Sequence, residues 1–165
     1  MATTAMNPSN QQANNPGSRA LRAIFAAGLL CGVMDLTAAF ITAGLRGVGP
    51  VRLLQGISTG ILGPKAFDMG WPTAVLGAIT HFFIAFSAAT VFYLASRKLT
   101  FLTRQWIVSG ILYGVAVYVV MYWVVVPLSL IHRRPFSWTA TIVAILTHMV
   151  CVGTPISLMV RRYSK

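Results

Sequence analysis

Negative charge is nearly absent from this sequence, which contains no glutamate and only two aspartates, Asp35 and Asp68. Charged residues of both signs make up 9% of the chain, whereas a soluble domain usually has about 25%. The 13 lysines and arginines stand in short groups between long apolar runs, instead of forming the basic face of a soluble module. The sequence therefore excludes nucleic acid as a partner and indicates a protein of the lipid bilayer.

Cysteines and recognisable catalytic motifs are equally scarce. Cys31 and Cys151 are the only cysteines, and both lie inside apolar runs, which excludes the disulfide framework of a small secreted domain. The sequence has no phosphate-binding glycine loop and no nucleophile with a base at a known spacing. Catalysis by a pair of carboxylates would need Asp35 and Asp68 together, and we place Asp68 outside the lipid. We therefore expect a non-enzymatic protein without catalytic residues.

Four apolar runs are long enough to cross a bilayer, which takes about 20 residues in a helix. They lie at residues 23–45, 72–95, 106–131 and 138–160. Because only helices satisfy their own backbone hydrogen bonds in lipid at this length, we predict an all-α integral membrane four-helix bundle. Residues 1–18 are polar and uncharged, which predicts a disordered tail before a single membrane domain at 19–165. Pro155 is expected to kink the fourth span.

The segment between the first two spans is too long for a simple turn. Pro50 suits the first position of a helix, and Val51, Leu54, Ile57 and Ile61 then recur at helical spacing. We predict a short amphipathic helix at about residues 50–62, lying in the membrane interface or re-entering the bilayer. Its polar residues are expected elsewhere around the helix, away from this apolar stripe.

Basic residues are distributed unequally between the two ends of the predicted bundle. Eight lie on the side of the termini: Arg19, Arg22, Arg97, Lys98, Arg104, Arg161, Arg162 and Lys165. Five lie on the opposite side: Arg46, Arg52, Lys65, Arg133 and Arg134. Because cytoplasmic loops carry the excess of positive charge, both termini are predicted to be cytoplasmic. Four arginines of the opposite side are candidates for binding an anionic lipid or substrate: Arg46, Arg52, Arg133 and Arg134.

Glycine pairs spaced four residues apart occur three times. They are Gly28 and Gly32 in the first span, Gly110 and Gly114 in the third span, and Gly56 and Gly60 in the predicted connecting helix. Small residues at this spacing let helix backbones approach closely. We expect them to form a contact between the first and third spans. The alternative is a face for a second copy or another membrane protein, in which case the chain is a structural or accessory subunit.

A weak internal repeat accompanies the glycines. The residues around Gly28 and Gly32 resemble those around Gly110 and Gly114, and Ala78-Ile-Thr-His81 resembles Ala144-Ile-Leu-Thr-His148. The two similarities occur in the same order along the chain. This pattern is typical of two parallel two-helix repeats.

Three polar side chains are predicted at similar depths in three different spans: Asp35, His81 and His148. A charged side chain at the bilayer centre costs roughly 2.5–3.5 kcal/mol, so Asp35 is expected to face the interior and meet an imidazole there. Four further residues are expected to support this cluster: Thr80, Thr147, Tyr118 and Tyr122. One interpretation is a site that handles protons or a small polar solute, since imidazole titrates near physiological pH.

Two other interpretations of the cluster stay open. It is a structural polar contact in which Asp35 bonds to a histidine and fixes the helix register, or it is a metal or haem site. The candidate metal ligands are Cys31, Asp35, His81, His148 and Cys151, all residue types that bind transition metals. Nothing in the flanking sequence requires a cofactor, and none is expected.

Five stretches of the chain resemble a family of small bacterial inner-membrane proteins without an assigned reaction, and more loosely YagU-like proteins. The stretches are Asp35-Leu-Thr-Ala-Ala-Phe40, Pro50-Val-Arg-Leu-Leu-Gln-Gly56, His81-Phe-Phe-Ile-Ala-Phe86, Arg134-Pro-Phe-Ser137 and His148-Met-Val-Cys-Val-Gly153. The resemblance implies four helices and a location in the bacterial inner membrane. It assigns no substrate and no role to any residue.

Overall fold

The computed structural model describes residues 16–132 and 135–163. Within these ranges the chain is helical and contains no strand. Four helices are long and apolar enough to cross a membrane, so the predicted class, an all-α membrane four-helix bundle, is confirmed. In chain order the elements are the first span (Pro16–Gly44), the connecting helix (Pro50–Leu62), a 3-10 turn (Gly63–Phe67), the second span (Trp71–Lys98), a short helix (Phe101–Arg104), the third span (Trp106–Leu128) and the fourth span (Trp138–Tyr163).

The predicted span boundaries differ from the observed ones at several ends. The second and fourth spans each continue three residues further, to Lys98 and Tyr163. The first span begins at Pro16, so the last three residues of the predicted tail are helical, and residues 1–15 lie outside the described part. The third span ends at Leu128, three residues early, because the chain becomes extended at Ser129. The amide of Leu130 then donates to the carbonyl of Gly60 at 3.1 Å. The helix therefore ends where its backbone turns to bond the connecting helix.

The spans alternate in direction, and their densest packing lies toward the end of the bundle that carries the termini. Gly28 packs against Phe86 and Gly32 against Phe82, which shows that the first and second spans run antiparallel. The core combines small and large buried residues: Ala23, Ala27, Cys31, Ala85, Ala89, Phe92, Tyr93, Val152, Ile156 and Val160. It draws on the first half of the first span and on the second halves of the second and fourth spans. The opposite half of the bundle is more open.

The connecting helix forms at Pro50–Leu62, as predicted, and part of its polar face is buried against the protein. Gln55, Ser58 and Thr59 are buried. The amide of Gln55 donates to the carbonyl of Gly70 at 3.0 Å, and the hydroxyl of Ser58 donates to the carbonyl of Thr73. These side chains therefore attach the connecting helix to the start of the second span through backbone carbonyls.

Both of the last two spans contain a π-helical segment just before a proline. Met121–Val125 precedes Pro127, and His148–Gly153 precedes Pro155. In the fourth span the carbonyl of Met149 accepts the backbone amide and, at 2.7 Å, the hydroxyl of Thr154. Regular α-helical hydrogen bonding is thus interrupted just before Pro155. π segments of this kind are frequent at functional sites.

Candidate functional site

A cavity of about 670 Å³ occupies the more open half of the bundle, between the connecting helix and all four spans. Cys31, Ala85 and Val152 form part of its wall and also belong to the buried core. The core therefore closes the cavity toward the end that carries the termini. Exposed Arg46 and Arg52 line it near the opposite end.

All three residues of the predicted polar cluster line this cavity. Asp35 reaches it from the first span, His81 from the second, and His148 from the fourth, where it begins the π segment. Each is half-buried. One carboxyl group and two imidazoles, which the sequence placed at similar depths, therefore surround the same cavity.

The direct Asp–His contact that we expected is not formed. Among the described residues Asp35 makes no side-chain hydrogen bond and no ion pair. His81 instead bonds a backbone carbonyl of the first span, and His148 bonds a backbone carbonyl of its own helix. The structural interpretation, in which Asp35 fixes the helix register by bonding to a histidine, is therefore wrong for the described residues, because both imidazoles bond backbone carbonyls instead.

The carbonyl partners fix the tautomer of each neutral imidazole, because a carbonyl oxygen can only accept. His81 Nε2 donates to the carbonyl of Gly32 in the first span at 2.9 Å. His148 Nδ1 donates to the carbonyl of Ala144, one turn earlier in its own helix, at 2.8 Å. The second nitrogen of each neutral ring, Nδ1 of His81 and Nε2 of His148, is therefore left as a proton acceptor.

The four residues that were expected to support the cluster have different surroundings. Thr80 lines the cavity, but its hydroxyl donates to the carbonyl of Leu76 at 2.8 Å. Tyr118 packs edge-on against His148, with ring centroids 5.7 Å apart, and stacks on Tyr122 at 5.8 Å. Thr147 is half-buried and does not line the cavity. Tyr118 therefore orients His148, and Thr80 contributes a side chain whose proton is already engaged.

The glycine pairs form contacts within the chain, but not between the first and third spans. A Cβ atom on Gly28 or Gly32 would collide with Phe86 or Phe82 of the second span. A Cβ atom on Gly110 would lie 2.9 Å from the Cα atom of Thr154, in the fourth span. The predicted contact between the first and third spans is therefore wrong: each glycine pair packs against the span that follows its own.

Gly56 and Gly60, the pair in the connecting helix, allow no comparably close approach. A Cβ atom on Gly56 would meet nothing within 4 Å, and one on Gly60 would make ordinary contacts with Ile131 and Ser129. Both glycines line the cavity. Their small size therefore widens the cavity on this side.

The two hairpins pack in the same register, which supports the predicted repeat. In the first hairpin the carbonyl of Gly32 accepts a hydrogen bond from His81. In the second hairpin Gly114, the equivalent glycine, packs against the backbone of His148. The first glycines, Gly28 and Gly110, meet the residues five positions beyond those histidines, Phe86 and Gly153. Equivalent positions of the two halves thus place both imidazoles on the cavity.

The two cysteines do not combine with the cluster into a metal site. Cys31 is buried and its thiol lies 3.5 Å from the carbonyl of Gly28. Cys151 is half-buried and does not line the cavity. Within residues 16–132 and 135–163, no three histidine, cysteine or acidic side chains lie close enough together to hold a metal ion.

Arg46 and Arg52, two of the four candidate anion-binding arginines, line the cavity. The guanidinium of Arg52 lies 3.8 Å from the centroid of the Phe67 ring, which also lines it. Neither arginine forms an ion pair or a side-chain hydrogen bond among the described residues. Arg133 and Arg134 lie outside the described part of the chain.

Sequence reasoning missed several contacts that shape the cavity. The hydroxyl of Tyr113 donates to the carbonyl of Ala88 at 2.7 Å and joins the third span to the second. Ser157 donates to the carbonyl of Trp106 at 2.7 Å and joins the fourth span to the third. Gly77 lets the connecting helix approach the second span at the carbonyl of Leu54. Gly77 has no second glycine four residues away, so a search for paired glycines overlooks it.

No family model, no curated protein and no solved structure matches this chain. The resemblance to YagU-like proteins stays a prediction. The assignment that the helices support is a multi-pass integral membrane protein whose bundle contains a cavity lined by Asp35, His81 and His148.

Proposed function

We propose that this protein moves protons, or a small polar solute together with protons, across the bacterial inner membrane, with both termini in the cytoplasm. The observation that carries the proposal is the shared cavity of Asp35, His81 and His148. Asp35 has no hydrogen-bonding or ionic partner among the described side chains, so its carboxyl group is available to whatever occupies the cavity.

The energetics of Asp35 support this function. A charged carboxylate in the middle of a bilayer costs roughly 2.5–3.5 kcal/mol unless a partner compensates it. Since no described group of the protein provides that partner, the carboxylate must be solvated by cavity water, bind a solute, or take up a proton. Each of these processes couples the charge of Asp35 to the contents of the cavity.

The two imidazoles extend the same chemistry over the cavity wall. In its neutral form each ring donates one proton to a backbone carbonyl and keeps one nitrogen able to accept another. Imidazole is the side chain that changes charge near physiological pH. His81 and His148 therefore supply two proton acceptors in addition to the carboxyl group of Asp35.

The shape of the cavity is that of a one-sided binding site. The buried core closes it toward the termini, and the exposed arginines lie near the other end. Transport then requires the walls to rearrange, and both π segments border the cavity, through Met121 and Val125 in one and His148 and Val152 in the other. These segments are the places in the spans where the regular hydrogen bonding is already interrupted.

A role as an accessory subunit acting through the glycine pairs has less support. Gly28, Gly32, Gly110 and Gly114 face neighbouring spans of the same chain. A partner protein or a second copy would have to use a different surface.

Proton flux into liposomes tests the proposed function. The purified protein is reconstituted with an internal pH-sensitive dye, and a potassium gradient with valinomycin supplies the driving voltage. The native protein should acidify the lumen faster than empty liposomes, and Asp35→Asn should reduce the rate to that of empty liposomes. His81→Gln and His148→Gln should each slow it at least several-fold.

The chain supplies matched controls outside the cavity. Asp68 is the other aspartate and His132 the third histidine, and both are exposed and absent from the cavity wall. Asp68→Asn and His132→Gln should leave the flux unchanged. Full flux in a well-folded Asp35→Asn variant, or equal losses in the controls, would overturn the proposed function.

A further inference from the structure

We infer that the small polar solute of the proposed function is an organic anion with a short apolar part, whose acidic group binds Arg46 and Arg52 while its apolar part occupies the cavity. This inference rests on the proposed function and specifies the substrate class of the same site. The chemistry is that of a carboxylate or phosphate attached to a hydrocarbon chain, either as a free molecule or as a lipid of the bilayer.

Two cationic side chains near one end of the cavity carry the inference. Arg46 follows the first span and Arg52 lies in the first turn of the connecting helix, and both line the cavity. Neither forms an ion pair or a side-chain hydrogen bond with a described residue, so their donors are free for a ligand. A guanidinium presents a planar set of donors that matches carboxylate and phosphate groups.

The position of Arg52 is fixed by an aromatic neighbour. Its guanidinium lies 3.8 Å from the centroid of the Phe67 ring, a cation–π geometry that holds the charge without neutralising it. Phe67 also lines the cavity. Arg52 therefore offers a charge held against an aromatic ring, and Arg46 lines the cavity from the segment between the first span and the connecting helix.

The wall behind the arginines is mainly apolar. The connecting helix contributes Leu53, Ile57 and Ile61, and the third span contributes Val117, Met121 and Val125. A volume of about 670 Å³ lies within the range of sites that enclose small molecules, roughly 300–1,000 Å³. An ion without an apolar part would leave this surface uncovered.

The other acidic and basic groups of the cavity favour an anion over a cation. Asp35 lies nine residues before the end of the first span, which is roughly 14 Å along a helix. It therefore stands deeper than the arginines, and no described ion pair joins it to either of them. A headgroup bound by two guanidinium groups meets a net positive charge before it meets the carboxyl group.

Calorimetric titration of the full-length protein in phosphatidylcholine nanodiscs tests the inference with four probes of equal chain length. They are octanoate, octyl phosphate, octylammonium and octanol. We expect the two anions to bind at least tenfold more tightly than octanol, and octylammonium to bind no better than octanol. Equal affinities for all four would overturn the inference.

Variants of the arginines locate the binding. The double change Arg46→Gln and Arg52→Gln should weaken octanoate binding at least tenfold, and Arg46→Lys with Arg52→Lys should weaken it less. The matched control removes two exposed basic residues at the other end of the bundle, Arg97→Gln and Lys98→Gln, and should change the affinity less than twofold. Equal losses of octanoate affinity in the Arg46/Arg52 and the Arg97/Lys98 double variants would overturn the site, provided that gel filtration shows that both are folded.

Two further comparisons distinguish a lipid ligand from a free anion, and the binding inference from the proposed function. Nanodiscs that contain phosphatidylglycerol should weaken octanoate binding if a bilayer lipid is the natural ligand and leave it unchanged if the ligand is a free anion. Proton flux without selective octanoate binding would overturn the inference alone. Selective binding without proton flux would overturn the proposed function and leave a static anion site.

Discussion

Gly153 and Gly114 bring the third and fourth spans into direct backbone contact: a Cβ atom on Gly153 would lie 2.8 Å from the Cα atom of Gly114 and still closer to the carbonyl of Gly110. Neither backbone can move without shifting a whole helix. In a membrane, where lipid competes for apolar contacts, such close approach of small residues is a main source of helix association.

Gly153→Ala should therefore destabilise the protein although it adds a single methyl group. Forcing extra volume into a packed interior typically costs about 1–3 kcal/mol, and backbone atoms cannot rotate away. We expect a clear drop in the thermal midpoint in detergent, measured by loss of monodispersity on gel filtration. Gly56→Ala is the control, because a Cβ atom there meets nothing within 4 Å. An unchanged midpoint for Gly153→Ala would contradict the contact.

Tyr113→Phe should weaken the contact between the second and third spans. It removes the hydroxyl that donates to the carbonyl of Ala88 at 2.7 Å and leaves the ring packed against Phe92. Hydrogen bonds between membrane helices contribute about 0.6 kcal/mol on average, so a small decrease in the thermal midpoint is expected. Tyr163→Phe, at a half-buried tyrosine without a described hydroxyl partner, should have no effect. Equal results for both variants would count against the bond.

Thr73→Val should loosen the attachment of the connecting helix. The hydroxyl of Thr73 is buried and donates to the carbonyls of Ala66 and Gly70 at 2.7 and 2.9 Å. The carbonyl of Gly70 keeps the donor of Gln55, but leaving the buried carbonyl of Ala66 without this donor costs about 1–3 kcal/mol. Hydrogen exchange of the peptides covering residues 50–67 should speed up. Thr37→Val, at an exposed threonine that bonds only within its own helix, should leave this exchange unchanged.

The proposed orientation predicts opposite labelling at the two ends of the bundle. In a background with Cys31→Ala and Cys151→Ala, a cysteine at Lys65 should react with an impermeant maleimide in intact cells. A cysteine at Arg97 should react only after the membrane is opened. Both native side chains are exposed, so accessibility in the protein is not limiting. The reverse labelling pattern would place the termini outside the cytoplasm.

The cysteine positions predict that purified protein holds no stoichiometric transition metal. Cys151 stands off the cavity wall, and among residues 16–132 and 135–163 no three histidine, cysteine or acidic side chains lie close enough together to complete a ligand set. Elemental analysis should give well under one metal ion per chain, and the visible spectrum should show no haem band. A stoichiometric metal lost in His148→Ala would restore the metal interpretation.

The sequence predicted the spans and the depth of the cluster because both depend on one-dimensional spacing. Apolar runs of sufficient length must be helical in lipid, and the count of residues from the membrane surface sets the depth of Asp35, His81 and His148. Their common cavity follows from that depth. The bonding partner of each imidazole depends on helix rotation and on the backbone carbonyls nearby, which is why the direct Asp–His bond was predicted wrongly.

Packing partners could not be read from the sequence, because a glycine pair fits any helix. Gly28 and Gly110 lie against the following spans, a choice decided by Phe86 on one side and Gly153 on the other. The buried face of the connecting helix could not be read from the sequence for a related reason. Polar side chains such as Ser58 satisfy backbone carbonyls of a neighbouring helix as well as they satisfy water, so its amphipathic pattern did not determine which face is buried.

The separation of a dense core at one end from a cavity at the other has a mechanical consequence. The second span has 28 residues, which corresponds to a length of roughly 42 Å. A tilt of about 5° pivoting at its densely packed end would displace its far end by about 4 Å. The densely packed half of the bundle can thus act as a fulcrum while the half that contains the cavity changes width. A ligand can then enter the cavity while the core side chains stay packed.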